Sequence, residues 1–195
     1  MSATTTMSPR NLKFEHKNKL TEDTMTEINT LKMDSDEERH FYEWLIEAEK
    51  AGLVSDIEYP TGSFELAERA SVKVKKQLKT KTKIVDKFLF HPHKYTPDFS
   101  FTWLGSNSPF FTMLGTTWVD VKGTFNGHGD PKQFSINQKW MFDKFGLYIN
   151  KVVPVDLFRK SWVPENCRYS PKMHKPVKKY IGMKTINDFM GDTNE

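Results

Sequence analysis

Two short β-like segments carry the charged residues of most chemical interest, Tyr95-Thr-Pro-Asp98-Phe-Ser-Phe101 and Trp118-Val-Asp120-Val-Lys122-Gly. Side chains alternate faces along a strand, so Asp120 and Lys122 project to one side of a sheet and Val119 and Val121 to the other. In the first segment Asp98 shares a face with Ser100, while Phe99, Phe101 and Trp103 take the opposite one. Two carboxylates and an ammonium then converge where two buried strands meet, and buried charges are costly unless they pair or bind a metal. Phosphodiester hydrolysis is the chemistry such a set can perform. It needs a nucleophilic water, stabilisation of transition-state charge and help for the leaving oxygen, and a hard divalent cation held by carboxylates supplies all three. Mg²⁺ suits the set because it prefers oxygen ligands and keeps several waters. Asp98 and Asp120 are the natural ligands, with the carbonyl of Val121 beside them. Lys122 would hold or deprotonate the attacking water, or neutralise charge on the phosphate.

A third acid would complete the set, and it must come from an element packed against these strands. Asp34-Ser-Asp-Glu-Glu38 reads as a helix start, with Ser35 as N-cap and acids in the first turn, followed by Phe41, Tyr42, Trp44, Leu45 and Ala48 at helical spacing. Gly52 closes that helix. It offers Glu37 and Glu38; Glu38 precedes Tyr42 and Leu45 at i+4 and i+7 and so can point along the packed face, and periodicity does not exclude Glu37. Extended pieces follow at 54–59 and 63–66 around a Pro60-Thr-Gly62 turn, then a basic loop at 73–83 and strands at 84–90 and 95–103. Residues 104–115 read as a loop, 116–122 as a central strand and 123–130 as a glycine-rich loop. Residues 131–145 read as a helix with Phe134, Met141, Phe142 and Phe145 on one apolar face and Gln138 as its polar exception. A last strand spans 147–153. Helix, strands, helix and strand in that order give an α/β or α+β sandwich.

The bulk properties fit this core. At 195 residues the chain suits one domain with tails, and its formal net charge of +4 is unevenly spread. Residues 73–87 hold seven lysines against one acid, and 159–184 add a second basic run, a clustering that suits a polyanion. A single cysteine, Cys167, excludes an internal disulfide framework and a Cys-rich zinc site and fits a reducing, cytoplasmic setting. No apolar run approaches the ~20 residues needed to span a bilayer, and residues 1–6 have no signal-peptide character. Residues 1–33 are polar, with scattered methionines, and read as a flexible arm. The expected organisation is an arm at 1–33, a core at 34–153 and a basic C-terminal extension at 154–195.

The order Glu38, Pro97-Asp98, Asp120-Val-Lys122 resembles the PD-(D/E)xK nuclease superfamily. More narrowly, the stretch from Asp34-Ser-Asp-Glu-Glu38 to Glu49-Lys-Ala-Gly52, then Ser55-Asp-Ile-Glu58, Ser63-Phe-Glu-Leu66, Tyr95-Thr-Pro-Asp98-Phe and Asp120-Val-Lys-Gly123, is similar to a family of small phage endonucleases over residues 34–152. The resemblance implies a restriction-endonuclease-like core, a central mixed sheet of about four to five strands flanked by helices. Its Ser35-x-x-Glu38 spacing selects Glu38 as the third acid, a metal ligand or water-orienter. It also implies that Gln138 and Lys139 face the scissile phosphate. A phage-encoded, Mg²⁺-dependent DNA endonuclease follows, with Mn²⁺ as a substitute metal, acting in recombination, replication or packaging. No sequence-recognition module is visible, which favours a structure-selective enzyme, and a homodimer would suit paired cuts.

Other features weigh less. His91-Pro-His93 reads as a turn with exposed imidazoles, since no third ligand stands at zinc spacing. The loop at 124–131, with His128, lacks the lysine-bearing pattern of a nucleotide-binding loop and reads as a flap beside the metal. Phe110, Phe111 and Trp118 suit core packing better than base stacking. The run from Lys172 to Tyr180, with Lys178 and Lys179, has the composition of a phosphate-tracking segment and equally of a solvated tail. The rival readings are a non-catalytic nucleic-acid binder, an RNA nuclease on the same scaffold and, more remotely, a protein–protein adaptor.

Overall fold

The computed structural model describes residues 33–105, 108–112, 115–123, 131–170 and 173–192. All of the expected arm but Met33, and residues 124–130 with His128, lie outside these residues. Helix α1 spans Asp36–Lys50, with Ser35 as its N-cap accepting from the Glu38 N–H and Gly52 at φ 71 just beyond it. Glycine at that position escapes the steric penalty of a left-handed backbone. Phe41, Trp44 and Leu45 are fully buried; burial of each such side chain stabilises the fold by about 2–3 kcal/mol.

Strands β1 (Val54–Glu58), β6 (Phe99–Trp103), β7 (Thr116–Val121) and β8 (Ile149–Val152) form a four-stranded sheet in the order β1-β6-β7-β8. The first three pair antiparallel, whereas β7 and β8 pair parallel and are joined through helix α2 (Pro131–Phe145). A parallel pair needs such a crossover. The fold is therefore α+β, with a mixed sheet. Phe99, Phe101 and Trp103 face α1 and meet Phe41 and Trp44. On the other face Trp118 and Ile149 pack with Met141 of α2 and with Phe64 and Leu66 of β2 (Phe64–Ala67).

Three expected elements differ. The basic loop at 73–83 is a hairpin, β3 (Ala70–Gln77) paired antiparallel with β4 (Thr82–Phe90) in a two-stranded sheet of its own. Val72-Lys73-Val74-Lys75 alternates, but lysine-rich composition reads as a loop and the ribbon buries no full face that would mark a strand. The strand expected at 95–103 is two strands. β5 (His93–Tyr95) pairs with β2 and β6 joins the main sheet. Pro97, which lacks an N–H for a ladder, stands at the switch and its carbonyl accepts from Thr61 Oγ1. On α2, Phe142 is 54% exposed whereas Met141 is buried. At about 100° per residue, Phe142 lies some 80° from Phe134, and Met141 and Phe145 lie within about 20° of it.

Residues 154–192, where described, are folded. Helices α3 (Pro154–Lys160), α4 (Glu165–Arg168) and α5 (Ile186–Asp192) and a 3₁₀ turn at Lys178–Tyr180 follow; fully buried Trp162 stacks on Trp44 at 4.5 Å and meets Phe189 of α5, and Tyr180 packs on Phe158 of α3. Trp44 Nε1 donates to Ser161 Oγ at 3.0 Å and Trp162 Nε1 to Glu47 Oε2 at 3.0 Å. Among the described residues no helix is long and apolar enough to cross a membrane.

Candidate active site

The ladder between β6 and β7 ends at the pair Phe99↔Val119, one residue after Asp98 and one before Asp120. Beyond that point the Val121 N–H donates to Asp98 Oδ2 at 2.7 Å, so a side chain takes the place of the missing strand partner. The N–H and C=O of one strand residue point the same way, and the Val121 carbonyl therefore faces the same gap. Asp120 is 3% exposed; its Oδ2 accepts from Tyr95 Oη at 2.7 Å and its Oδ1 pairs with Lys122 Nζ. Asp98, Asp120 and Lys122 are thus brought together at the end of two central strands.

The electrostatics of the pair are those of two acids sharing one cleft. Burial, and then the charge of Asp120 beside it, push the Asp98 carboxyl up to about 8, against the pull of the Val121 N–H and Lys122. The Tyr95 phenol is likewise raised, by burial first and then by Asp120. Oxygen-only donors that crowd two negative charges fit a hard cation, which would let both carboxyls ionise. Among the described residues no three His, Cys, Asp or Glu side chains form a ready cage. A pair of carboxylates remains compatible with Mg²⁺, whose sphere is completed by waters.

Glu38 stands at this end of the sheet in the first turn of α1, clasped by the N-cap residue and its neighbour. It accepts from Ser35 Oγ at 3.0 Å and from the Asp34 N–H at 3.3 Å, while its own N–H donates to Ser35 Oγ at 3.1 Å. Its Oε2 also accepts from Tyr59 Oη at 2.9 Å, and the Tyr59 ring stacks on Phe99, the neighbour of Asp98. Glu37 makes none of these contacts. Gln138 points to β8, its Nε2 donating to the Ile149 carbonyl at 2.6 Å, and Lys139 is exposed on α2. Lys178 and Lys179 are exposed on the 3₁₀ turn, where the Lys179 ammonium lies 4.7 Å from the Tyr180 ring. They belong to the layer that contains α1: burial, then Arg39 and Lys179, hold the His40 imidazole below its ordinary pKa.

Several residues around the site were not legible as such. Tyr95 holds Asp120, and its only signal was its place three residues before Asp98. Glu58 accepts from Ser100 Oγ at 3.2 Å and so sets a further acid on the Asp98 face. Lys151 stands opposite Asp120 in the parallel register, exposed, on the same side of the sheet. His93 is no exposed turn residue, since its Nε2 lies 2.9 Å from Asn137 Oδ1 and its ring packs on Trp140. Phe110 and Trp118 serve the core, while Phe111 is 59% exposed. Compared with protein-family models, with curated proteins and with solved structures, the chain matches none.

Proposed function

We propose that the chain is a metal-dependent endonuclease of the PD-(D/E)xK type that hydrolyses DNA phosphodiester bonds. The observation that carries this reading is the convergence of Asp98, Asp120 and Lys122 where the β6–β7 ladder stops. The order of elements, helix, antiparallel strands, helix and parallel strand, agrees with a restriction-endonuclease-like core. Asp98, Asp120 and the Val121 carbonyl would hold Mg²⁺ or Mn²⁺, which when bound supplies charge stabilisation and a more acidic water. Lys122 Nζ has three donors, so beyond its pairing with Asp120 it can hold a water or a phosphate oxygen. Tyr95 fixes the rotamer of Asp120. Glu38, tied by Tyr59 and Ser35, orients water or extends the ligand set. By the resemblance, the substrate is structured phage DNA in recombination, replication or packaging.

The test is cleavage of duplex, single-stranded, flapped and four-way DNA, and of RNA, in Mg²⁺ or Mn²⁺, beside Asp120→Ala and Lys122→Ala checked for folding by circular dichroism. Divalent-dependent DNA cleavage abolished by both substitutions is the expected result. Cleavage that survives both, or no cleavage of any substrate, overturns the assignment.

A further inference from the structure

The β3–β4 ribbon is the largest feature that the site does not use. Eight register pairs, from Ala70↔Phe90 to Gln77↔Thr82, make an arm roughly 24 Å long at about 3.4 Å per residue. All seven of its lysines are exposed, with Lys79 and Lys81 at the tip. One face carries Lys76, Lys83 and Lys87 with Val72, Val74 and Val85; the other carries Lys73 and Lys75 with Ile84, Asp86 and Phe88. Lys76 and Lys83 stand directly opposite each other, a like-charge pair that destabilises a ribbon by itself. An isolated two-stranded ribbon is at best marginal in water. This composition makes physical sense when a polyanion neutralises it.

We propose that this ribbon is a DNA-binding arm that enters the major groove of a B-form duplex and sets the adjoining backbone beside Asp98 and Asp120. The inference rests on the nuclease reading and names the substrate form it requires. A B-form major groove, about 12 Å wide and 8.5 Å deep, admits a two-stranded ribbon. The deep, narrow major groove of A-form RNA does not. The arm is also rooted at the site. It continues the β2–β5 pair, in which Tyr95 donates to Asp120 and His93 is anchored to Asn137 of α2. A second copy of the chain is a poorer occupant, because seven lysines against Asp86 repel their like and edge lysines block strand pairing.

The test uses the full chain carrying Lys73→Gln, Lys75→Gln, Lys76→Gln and Lys83→Gln together, all exposed positions, compared with wild type by circular dichroism. Binding to duplex DNA and to duplex RNA of the same sequence is followed by fluorescence anisotropy across salt, in EDTA and in Ca²⁺. The expected result is a DNA affinity reduced at least about tenfold and a log–log salt slope shallower by about 2–4, at ~0.9 per phosphate contact. The RNA slope should change less, and protection of guanine N7 from dimethyl sulfate should be lost. An unchanged DNA slope, an equal loss on RNA, or a changed sedimentation coefficient with DNA binding intact overturns the arm and leaves the nuclease reading standing. Arm-dependent binding without cleavage overturns the nuclease reading alone. Absence of duplex binding by wild type overturns the arm, while the nuclease reading stands or falls on the cleavage panel.

Discussion

Asp98 and Asp120 cannot both ionise cheaply in the cleft they share, and this gives the site a stability signature separate from activity. Burial and the charge of Asp120 push the folded Asp98 carboxyl well above its ordinary 3.8, to about 8, so the metal-free fold keeps a proton that the unfolded chain releases. Its contribution is therefore full below about pH 4 and is lost as pH rises through about 8. In EDTA the melting temperature should fall between pH 5 and pH 8.5. Asp98→Asn, which keeps an oxygen acceptor for the Val121 N–H, should flatten that decline while lowering cleavage by at least about a hundredfold. A decline equally steep in the variant would show that another group carries it. Tyr95→Phe tests positioning: it retains the ring and removes the donor to Asp120. Loss of such an outer partner typically weakens metal affinity or activity 10–100-fold, so the Mg²⁺ concentration for half-maximal cleavage should rise by about that factor. The acids themselves were legible because strand alternation places Asp120 and Lys122 on one face. Tyr95 was not, because its partner lies across a switch between sheets that Pro97 creates.

Among the elements, α1 shows how a local signal can serve fold and site together. Ser35 satisfies the Glu38 N–H and binds its carboxylate, so the helix start that sequence announces is also the clamp on Glu38. Ser35→Ala should destabilise the protein by about 1 kcal/mol, a melting shift of roughly 2–4 °C, read by thermal denaturation. Tyr59→Phe leaves the cap intact and frees the other side of Glu38. If Glu38 orients water, cleavage should fall in Tyr59→Phe with the melting temperature nearly unchanged; equal cleavage in both proteins would reduce Glu38 to a cap. Helix α1 was readable from its cap and the helical spacing of its apolar residues, and β7 from its Val- and Trp-rich run, although both are buried on more than one face. Of the ribbon only the second strand was readable, at 84–90; the first passed for a loop, since Lys73-Val-Lys75 alternates without a core to face. Nor were α3 and α4 readable, which are set by contacts with α1, or α5, whose Phe189 packs on Trp162; no local pattern encodes these contacts.

Across the whole molecule, charge and stability divide between two basic regions of opposite character. The ribbon is a separate sheet with every lysine exposed, whereas the region after Val153 supplies Leu157, Phe158, Trp162 and Tyr180 to the buried interior. Similar composition thus conceals different energetics, which is why sequence could not separate a solvated tail from a structural layer. Truncation after Val153 would strip the stacked partner from Trp44 and leave its indole N–H without Ser161. Removal of one buried Trp side chain alone costs about 3–5 kcal/mol, a large part of a typical stability of about 5–15 kcal/mol. The truncated chain should therefore lose near-UV circular dichroism and cooperative melting, and its failure to bind DNA would say nothing about Lys178 and Lys179. Those two are tested instead by Lys178→Gln with Lys179→Gln in the full chain, where the fold should persist. Native-state hydrogen exchange distinguishes the two regions directly: amides of β3 and β4 should exchange through local opening, and those around Trp162 only with the sheet formed by β6, β7 and β8. Slow, globally coupled exchange in the ribbon would mean that it packs on the core after all. In that case the arm could not be altered without altering the fold.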